Sequence, residues 1–452
     1  MVDPEFIRKN PDRMKEIINS GRGKPDKADV DKWLQLDEQR RDLQKQLDSL
    51  NQEKNKLADI GRQGGNIEEI RTKGQELKKQ SSEVETRLGK IQLEWQAIMD
   101  WMPNIPHKDM PAGKNEHDNP VLKAWVPGSG YIDNSKLGKV GEDSGLMPAK
   151  LLYADKEFKP VHHLDLGMKL GVIDNDQAAK VTGTRFTYIV GELALLQFAL
   201  QKFFFDELLK RGYKYIIPPL LVREKALYGT SHFPEQVDQV YKIQSEDVEE
   251  NQQLFLLGSS EPANFSYFMD KTLDEAELPY KLFAYTSCFR SEAGSWGRDT
   301  KGIKRMHQFD KIEMNVVCTP EQADQTFDEL LAVNEWLLQQ LELPYHLALK
   351  CTGDAGYQAS AKQIDPEVWL TGQQEFMEVM TDTNATDFQA RRLNIKYKAK
   401  DGKKYYVNTV NDTGIAMGRM LVAIMDNYQQ SDGTVKIPKV LVPYFGKEYL
   451  GK

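Results

Sequence analysis

The sequence predicts an α+β protein in two parts: an N-terminal antiparallel helical hairpin of coiled-coil type, then a globular body whose mostly antiparallel sheet is flanked by helices. Three observations lead there. Apolar residues recur every seven positions in two consecutive stretches near the start, the spacing that joins two helices along a seam. Glycines and prolines punctuate those stretches, marking where helices stop. From about residue 161, short β-branched and aromatic runs follow one another, often with no helix between, as hairpin-connected strands do and a parallel βαβ sheet does not.

In chain order, the first helix carries Leu36, Leu43, Leu50 and Leu57 at heptad spacing, with Trp33 and Leu47 between. The second carries Ile70, Leu77, Val84, Ile91 and Ile98, with Ile67, Leu88 and Trp95 as its second seam. Gly61-Arg-Gln-Gly-Gly65 separates them as a stop and turn. One chain folding back on itself would give two helices of about 30 residues, each about 45 Å long. By itself this hairpin is equally compatible with a dimerisation rod or spacer. Met102-Pro-Asn-Ile-Pro106 ends the second helix, because prolines cannot continue it. The expected organisation is therefore a helical arm over 1–106, a partly irregular linker over 107–160 and the α+β body over 161–452. Strands are expected at 185–190, 214–217, 282–289, 309–317, 346–350, 376–380, 393–397 and 405–410. Helices are expected at 192–211, 320–341 and 414–430.

Composition narrows the function classes. The chain has 452 residues, 40% hydrophobic and 28% charged, enough apolar material for a core and no case for global disorder. Lys plus Arg total 60 against 68 Asp plus Glu, a net charge of -8. The first 106 residues hold 20 of each sign, so the acidic excess belongs to the rest. An acidic total would normally count against a polyanionic partner, but where the charge lies matters more than the sum. Cys288, Cys318 and Cys351 are too few and too scattered for a disulfide framework or a Cys-x-x-Cys zinc site, which fits a reduced, cytoplasmic compartment. The start MVDPEFIRKN lacks a signal-peptide profile, and the most apolar stretch, 193–205, is too short and too polar to span a bilayer. No membrane partner is expected. There is no Gly-x-x-x-x-Gly-Lys-Ser/Thr loop and no dinucleotide glycine fingerprint, so nucleotide binding would need another device.

The densest polar chemistry lies in FRSEAGSWGRDTKGIKRMHQFDKIE, residues 289–313. On extended backbone, Arg290 and Glu292 would share a face, as would Phe309 and Glu313. A glycine-rich cationic loop lies between the two runs. Each feature alone reads as structure: a strand Arg-x-Glu is usually an ion pair and a strand Phe is usually core. Together they present cations, carboxylates and an aromatic surface on one hairpin.

That segment closely resembles motif 2 of class II aminoacyl-tRNA synthetases in the form carried by the seryl-tRNA synthetases. RGYKYIIPP (211–219) resembles motif 1 and NDTGIAMGR (411–419) motif 3, with further likeness at VTGTRF (181–186), EVMTDTNATDFQARR (378–392), DGTVKIPKVLVPYFG (432–446), the hairpin and MPNIPH (102–107). The resemblance spans essentially the whole chain. It implies a class II catalytic domain that turns L-serine and ATP into seryl-adenylate and pyrophosphate, then transfers the seryl group to the 3′ end of serine tRNA, with selenocysteine tRNA a second candidate acceptor. It also implies a homodimer formed through motif 1 and a tRNA-binding role for the arm over 1–106, on whose RNA-facing side Arg40, Arg41, Lys45, Lys73, Lys78 and Lys79 can gather, while the acidic total limits non-specific affinity.

The resemblance also assigns roles. Arg290 would bind the α-phosphate and the serine carboxylate, Glu292 the adenine amino group or the ordered ATP, and Phe309 would stack on adenine while Arg419 covers its other face and reaches the γ-phosphate. These three polar residues, Arg290, Glu292 and Arg419, are the catalytic set. Ser291, Arg305, Val379 and Met380 complete the ATP contacts. Glu378 and Thr381 would hold Mg²⁺, a hard cation suited to oxygen ligands. Serine would be recognised by Ser259, Ser260, Glu261, Arg290, Glu313 and Thr413. Three positions depart from the usual pattern: Ser259-Ser260-Glu261 replaces Thr-Ala-Glu, Glu378-Val-Met-Thr381 replaces Glu-Val-Ser-Ser, and Asp412 replaces a glycine, adding a charge close to the expected serine site. His162-His163 are expected to have a solvent or packing role rather than bind zinc, Cys288 to pack, and Lys202-Phe-Phe-Phe205 to lie in the core or a dimer interface. Two alternatives stand beside the enzyme: a non-catalytic paralogue that binds RNA or protein, disfavoured by the retained Arg290 and Arg419, and an aminoacyl carrier-protein ligase, disfavoured by the intact hairpin.

Overall fold

The computed structural model describes all residues except 65, 134–136, 141–157, 245–251, 294–300 and 357. It divides into two compact units, Met1–Pro103 and Asn104–Lys452.

The first unit is the hairpin of α1 (Val30–Arg62) and α2 (Ile67–Met99). Asp29 caps α1 by accepting from the Lys32 amide, and Asn66 caps α2 by accepting from the Glu68 amide, each satisfying an orphan donor of the first turn. α1 runs through Gly61 to Arg62, and the reversal falls at Gly64, whose φ is +88°. The seam is buried at Trp33, Leu36, Leu43, Leu77, Trp95 and Ile98 and half-buried at Leu50, Leu57, Val84 and Ile91, because two helices cover only one side of each knob. Ile67, expected in the seam, is 83% exposed: as the first residue of α2 it has no facing turn to pack on. Near the base, Trp33 and Trp95 meet at 5.5 Å between ring centroids. Asp37, buried beside them, accepts from Arg8 at 2.7 Å, Arg41 at 3.0 Å, Arg40 at 3.3 Å and the Trp95 indole at 3.2 Å. Arg40 and Arg41, expected among the RNA-facing cations, are thus part of this brace, whereas Lys73, Lys78 and Lys79 are exposed.

The second unit is built on ten strands: β1 (Val121–Val126), β2 (Gly130–Tyr131), β3 (Lys214–Tyr215), β4 (Tyr280–Phe289), β5 (Gln308–Cys318), β6 (Tyr345–Leu349), β7 (Lys362–Leu370), β8 (Glu375–Glu378), β9 (Thr381–Asn384) and β10 (Asn408–Ala416). Their order is β2-β1-β6-β7-β9-β10-β5-β4-β3, with β8 on β7. Every pairing is antiparallel except β3 with β4. The segment expected to be a linker therefore supplies β1 to this sheet. β7 was not anticipated at all. The run expected at 393–397 is only partly strand: Leu393 ends a short helix, α5 (Phe388–Leu393), stopped by Asn394 in the left-handed region, and Lys396–Lys398 then forms a strand of a separate three-stranded sheet, while only Tyr188–Ile189 of 185–190 is strand.

Helices α3 (Glu192–Lys210), α4 (Ala323–Gln340) and α6 (Met417–Tyr428) bury Leu200, Phe204, Leu337, Leu338, Leu421 and Ile424 in one core with Met314, Val316, Val368 and Ile415 of the sheet. Each such side chain contributes about 1.5–3 kcal/mol on leaving water. Strand alternation then decides the site: on β5, Lys311 and Glu313, which flank the buried core residue Ile312, face the other way.

Candidate active site

The side of the sheet away from that core carries a cavity of about 480 Å³, within the size range of small-ligand sites. Its floor comes from three neighbouring strands. β5 offers Phe309, Lys311 and Glu313, β9 offers Thr381 and Thr383, and β10 offers Asn411 and Thr413. Thr413 is the register partner of both Glu313 and Thr381, so the three sit at one level. A bulge in the β5–β10 ladder makes this possible, pairing Glu313 with Thr413 directly after Ile312 with Ile415. The skipped residue is Gly414, where a Cβ would come within 2.7 Å of the Phe204 ring; only glycine fits there.

One end is a compact set of carboxylates and hydroxyls around a lysine. Glu313 is 1% exposed and accepts from Thr413 Oγ1 at 3.3 Å. Lys311 pairs with Glu313 and donates to Ser259 Oγ at 2.9 Å and Thr413 Oγ1 at 3.2 Å. Glu261, 2% exposed, accepts from Gln389 Nε2 at 2.6 Å. His232 also lines this end; burial, with Arg290 and Lys311 nearby, lowers its pKa to about 3 and keeps it neutral.

The other end gathers guanidinium groups. Arg290 lies over the Phe309 ring at 5.3 Å and donates from Nε to the Gly258 carbonyl at 3.1 Å. Arg305 pairs with Glu292. Arg419 donates from Nη1 to Glu378 Oε1 at 2.9 Å and to the Glu378 carbonyl at 3.0 Å, and from Nε to the Lys304 carbonyl at 3.3 Å. Thr381 Oγ1 donates to the same Glu378 oxygen at 3.4 Å. Burial pushes the Glu378 carboxyl up, but Arg419, Lys350 and Arg290 outweigh it and hold the group below its ordinary value. The pair is an ionised carboxylate and a hydroxyl, the oxygen chemistry that Mg²⁺ takes. Among the described residues no three His, Cys, Asp or Glu side chains gather to hold a metal alone, so phosphate and water oxygens would have to complete its shell.

Of the residues anticipated from sequence, the cavity brings together Ser259, Glu261, Arg290, Glu292, Arg305, Phe309, Glu313, Glu378, Thr381, Thr413 and Arg419. Ser260, Ser291, Val379 and Met380 are not among its lining. Ser260 Oγ accepts from Asn264 at 3.4 Å, Ser291 donates to the Asp238 carbonyl, and Val379 and Met380 are buried. Arg290 and Glu292 do not share a strand face, because β4 stops at Phe289 and Glu292 has φ +51°, a left-handed backbone that a glutamate adopts only where contacts hold it. The guanidinium over Phe309 is that of Arg290, while Arg419 is engaged by Glu378. Asp412, expected to add a charge close to the serine site, does not line the cavity: it faces the opposite side of β10 and accepts from Asn334 of α4 at 2.9 Å. The glycine-rich loop falls largely at 294–300, outside the described residues. Lys311, Lys304, His232 and Gln389 escaped sequence reasoning; Lys311 alone carried a signal, its even spacing from Phe309 and Glu313. His163 is buried as expected, with its pKa lowered to about 2 by burial first, and its Nε2 accepts from the Ile303 amide at 3.3 Å at the edge of the cavity wall.

Comparison with known proteins gives a consistent answer. Residues 1–106 match the model of the seryl-tRNA synthetase N-terminal domain, and residues 241–428 match that of the tRNA synthetase class II core domain (G, H, P, S and T). The serine–tRNA ligase of Pyrococcus horikoshii is 38% identical over 452 aligned residues, covering 99% of this chain and 96% of its own. That of Thermococcus sibiricus is 39% identical, covering 100% and 98%. Among solved structures, seryl-tRNA synthetase from P. horikoshii complexed with ATP superposes with a TM-score of 0.85 at 36% identity, over 100% of this chain and 99% of that one. Cytoplasmic serine–tRNA ligase from Naegleria fowleri in complex with AMP gives 0.80 at 27% identity, over 99% and 96%.

Proposed function

The chain belongs to the seryl-tRNA synthetase family, and we infer from its site how it carries out that family's reaction. It is an enzyme, a class II serine–tRNA ligase that activates L-serine with ATP and charges serine tRNA. The observation that carries the reading of the site is one cavity with an aromatic, guanidinium-lined end joined to a carboxylate-and-hydroxyl end.

In this reading the nucleotide occupies the first end and serine the second. Arg290 stands between them, so one guanidinium fork meets the serine carboxylate and the α-phosphate and fixes the attack geometry. Lys311 adds a second positive charge beside the carboxylate, while Glu261 and Glu313 receive the ammonium. Thr413 and Ser259 accept or donate to the serine hydroxyl, and a site built on such bonds leaves its own polar groups unpaired when alanine enters. Arg419 and Arg305 meet the outer phosphates as charge develops on the leaving pyrophosphate. Glu378 and Thr381 would hold Mg²⁺, which when bound would neutralise phosphate charge.

We further propose a homodimer. Leu195, Phe198 and Leu209 of α3 and Ile217 after β3 are each more than half exposed, Ile217 at 80%, and such apolar surface around motif 1 is what a second copy would cover. The arm would receive the tRNA. A cytoplasmic location fits three buried free cysteines and the absence, among the described residues, of any helix long and apolar enough to cross a membrane.

Pyrophosphate exchange with each amino acid in turn, followed by charging of total tRNA, tests the reading. Serine alone should support both steps. Absence of serine-dependent exchange would sink the enzyme, and exchange without charging would favour a carrier-protein ligase.

A further inference from the structure

Behind Glu261 lies a hydrogen-bonded chain that does not itself touch the cavity. Gln389, the second residue of α5, and Thr409 of β10 are both fully buried and line no part of the site. Gln389 Nε2 donates to Glu261 Oε1 at 2.6 Å and to the Thr230 carbonyl at 3.3 Å, while Thr409 Oγ1 donates to Gln389 Oε1 at 2.7 Å.

The chemistry of the partners fixes every orientation. With the Glu261 carboxylate and the Thr230 carbonyl both accepting, the amide nitrogen faces them and both of its N–H groups are used. The amide oxygen then faces Thr409, whose hydroxyl must donate. Two walls of the serine end are tied by one side chain, because Thr230 also meets His232 Nδ1 at 3.0 Å.

We propose that Gln389 is the positioning residue for serine binding: oriented by Thr409, it holds the Glu261 carboxylate where the substrate ammonium is received and, through Thr230, braces the neighbouring His232 wall. This rests on the reading that Glu261 binds that ammonium. A hydrogen bond to a charged group is the strong kind, and its loss should raise the KM for serine by about 10- to 100-fold. The ATP end makes no use of the chain, so the KM for ATP should stay within about twofold.

The test is serine-dependent pyrophosphate exchange by the full-length enzyme carrying Q389L, Q389E, T409V, Q389L/T409V or E261Q. Q389L should raise the serine KM at all pH values. In Q389E, which keeps the shape but offers one O–H in place of two N–H groups, the introduced carboxyl can donate to Glu261 only while protonated, so the serine KM should fall below that of Q389L near about pH 6 and climb by about pH 8.5. A misfolded variant would not recover in this reversible way. T409V should cost about threefold in the parent and nothing further in Q389L, since Thr409 acts only through the amide. E261Q separates the two levels of the argument and should raise the serine KM by itself. A large effect of E261Q with Q389L and Q389E both within about twofold of the parent would overturn the role of Gln389. If E261Q itself left the serine KM unchanged, the reading of Glu261 would fall and this inference with it.

Discussion

Replacing Asp412 with asparagine tests which side of the sheet this motif 3 residue serves. Asp382 and Asp412 face each other across β9 and β10, both without exposed surface. Both Asp382 oxygens and Asp412 Oδ2 are buried without a hydrogen-bonding partner. Burial, and next for Asp382 the charge of Asp412, pushes its carboxyl well above the ordinary 3.8; the Lys362 charge opposes this and Asp328 adds to it. For Asp412, burial again leads, opposed by Asn334 and Lys311 and reinforced by Glu313 and Asp365. Groups raised in the fold contribute stability below their unfolded value and lose it as pH rises towards the folded one. Each proton the fold retains after the unfolded chain has released it lowers stability by about 1.4 kcal/mol per pH unit. In D412N one raised carboxyl is gone and an amide N–H can meet Asp382. Satisfying one buried acceptor should add about 1–3 kcal/mol near pH 8, with the gain shrinking towards pH 4. Urea denaturation of parent and variant at both pH values reads this directly. Destabilisation at pH 8, or an equal gain at pH 4, would refute the reasoning. Because the side chain points towards α4, the serine KM should move by less than about twofold; a selective rise would put the charge back beside the substrate.

Three further outcomes follow from the same geometry. Replacing residues 44–88 with a short turn keeps Trp33, Asp37 and Trp95 at the base, so pyrophosphate exchange should survive while tRNA charging falls by at least about tenfold with the loss of phosphate contacts; unchanged charging would remove the arm from RNA binding. L195E/F198E should convert a dimer to a monomer by light scattering, and a parent already monomeric would refute the proposed interface. E378Q should raise the Mg²⁺ concentration needed for half-maximal exchange by roughly tenfold or more, and an unaltered Mg²⁺ dependence would place the metal elsewhere.

Much of the architecture was legible because it rests on periodicity. The heptads of α1 and α2 set a seam that the hairpin buries, and the runs that became β4 and β5 alternate as strands do. What escaped did so for physical reasons. β7 reads K-Q-I-D-P-E-V-W-L and is buried on both faces, with Gln363 and Asp365 inward and Pro366 in mid-strand, so neither alternation nor residue preference announces a central strand. β1 was hidden by its glycine-rich surroundings. The parity argument held for Phe309 and Glu313, which lie within β5, and would have found Lys311. It failed for Arg290 and Glu292, because the strand ends one residue earlier and the backbone turns left-handed.

The supporting residues were the least visible, and the reason lies in the sheet itself. Thr381, Thr383, Asn411 and Thr413 look into the cavity, while Asp382 and Asp412, interleaved with them, look towards α4. A motif read as a string merges these two populations, and Asp412 was placed near serine for that reason alone. Gln389 is harder still: it belongs to no period, sits on a helix of 6 residues and acts through a carboxylate 128 positions away. Local sequence reports which groups can do the chemistry. Which of them are held still enough to do it depends on partners brought together only by the fold.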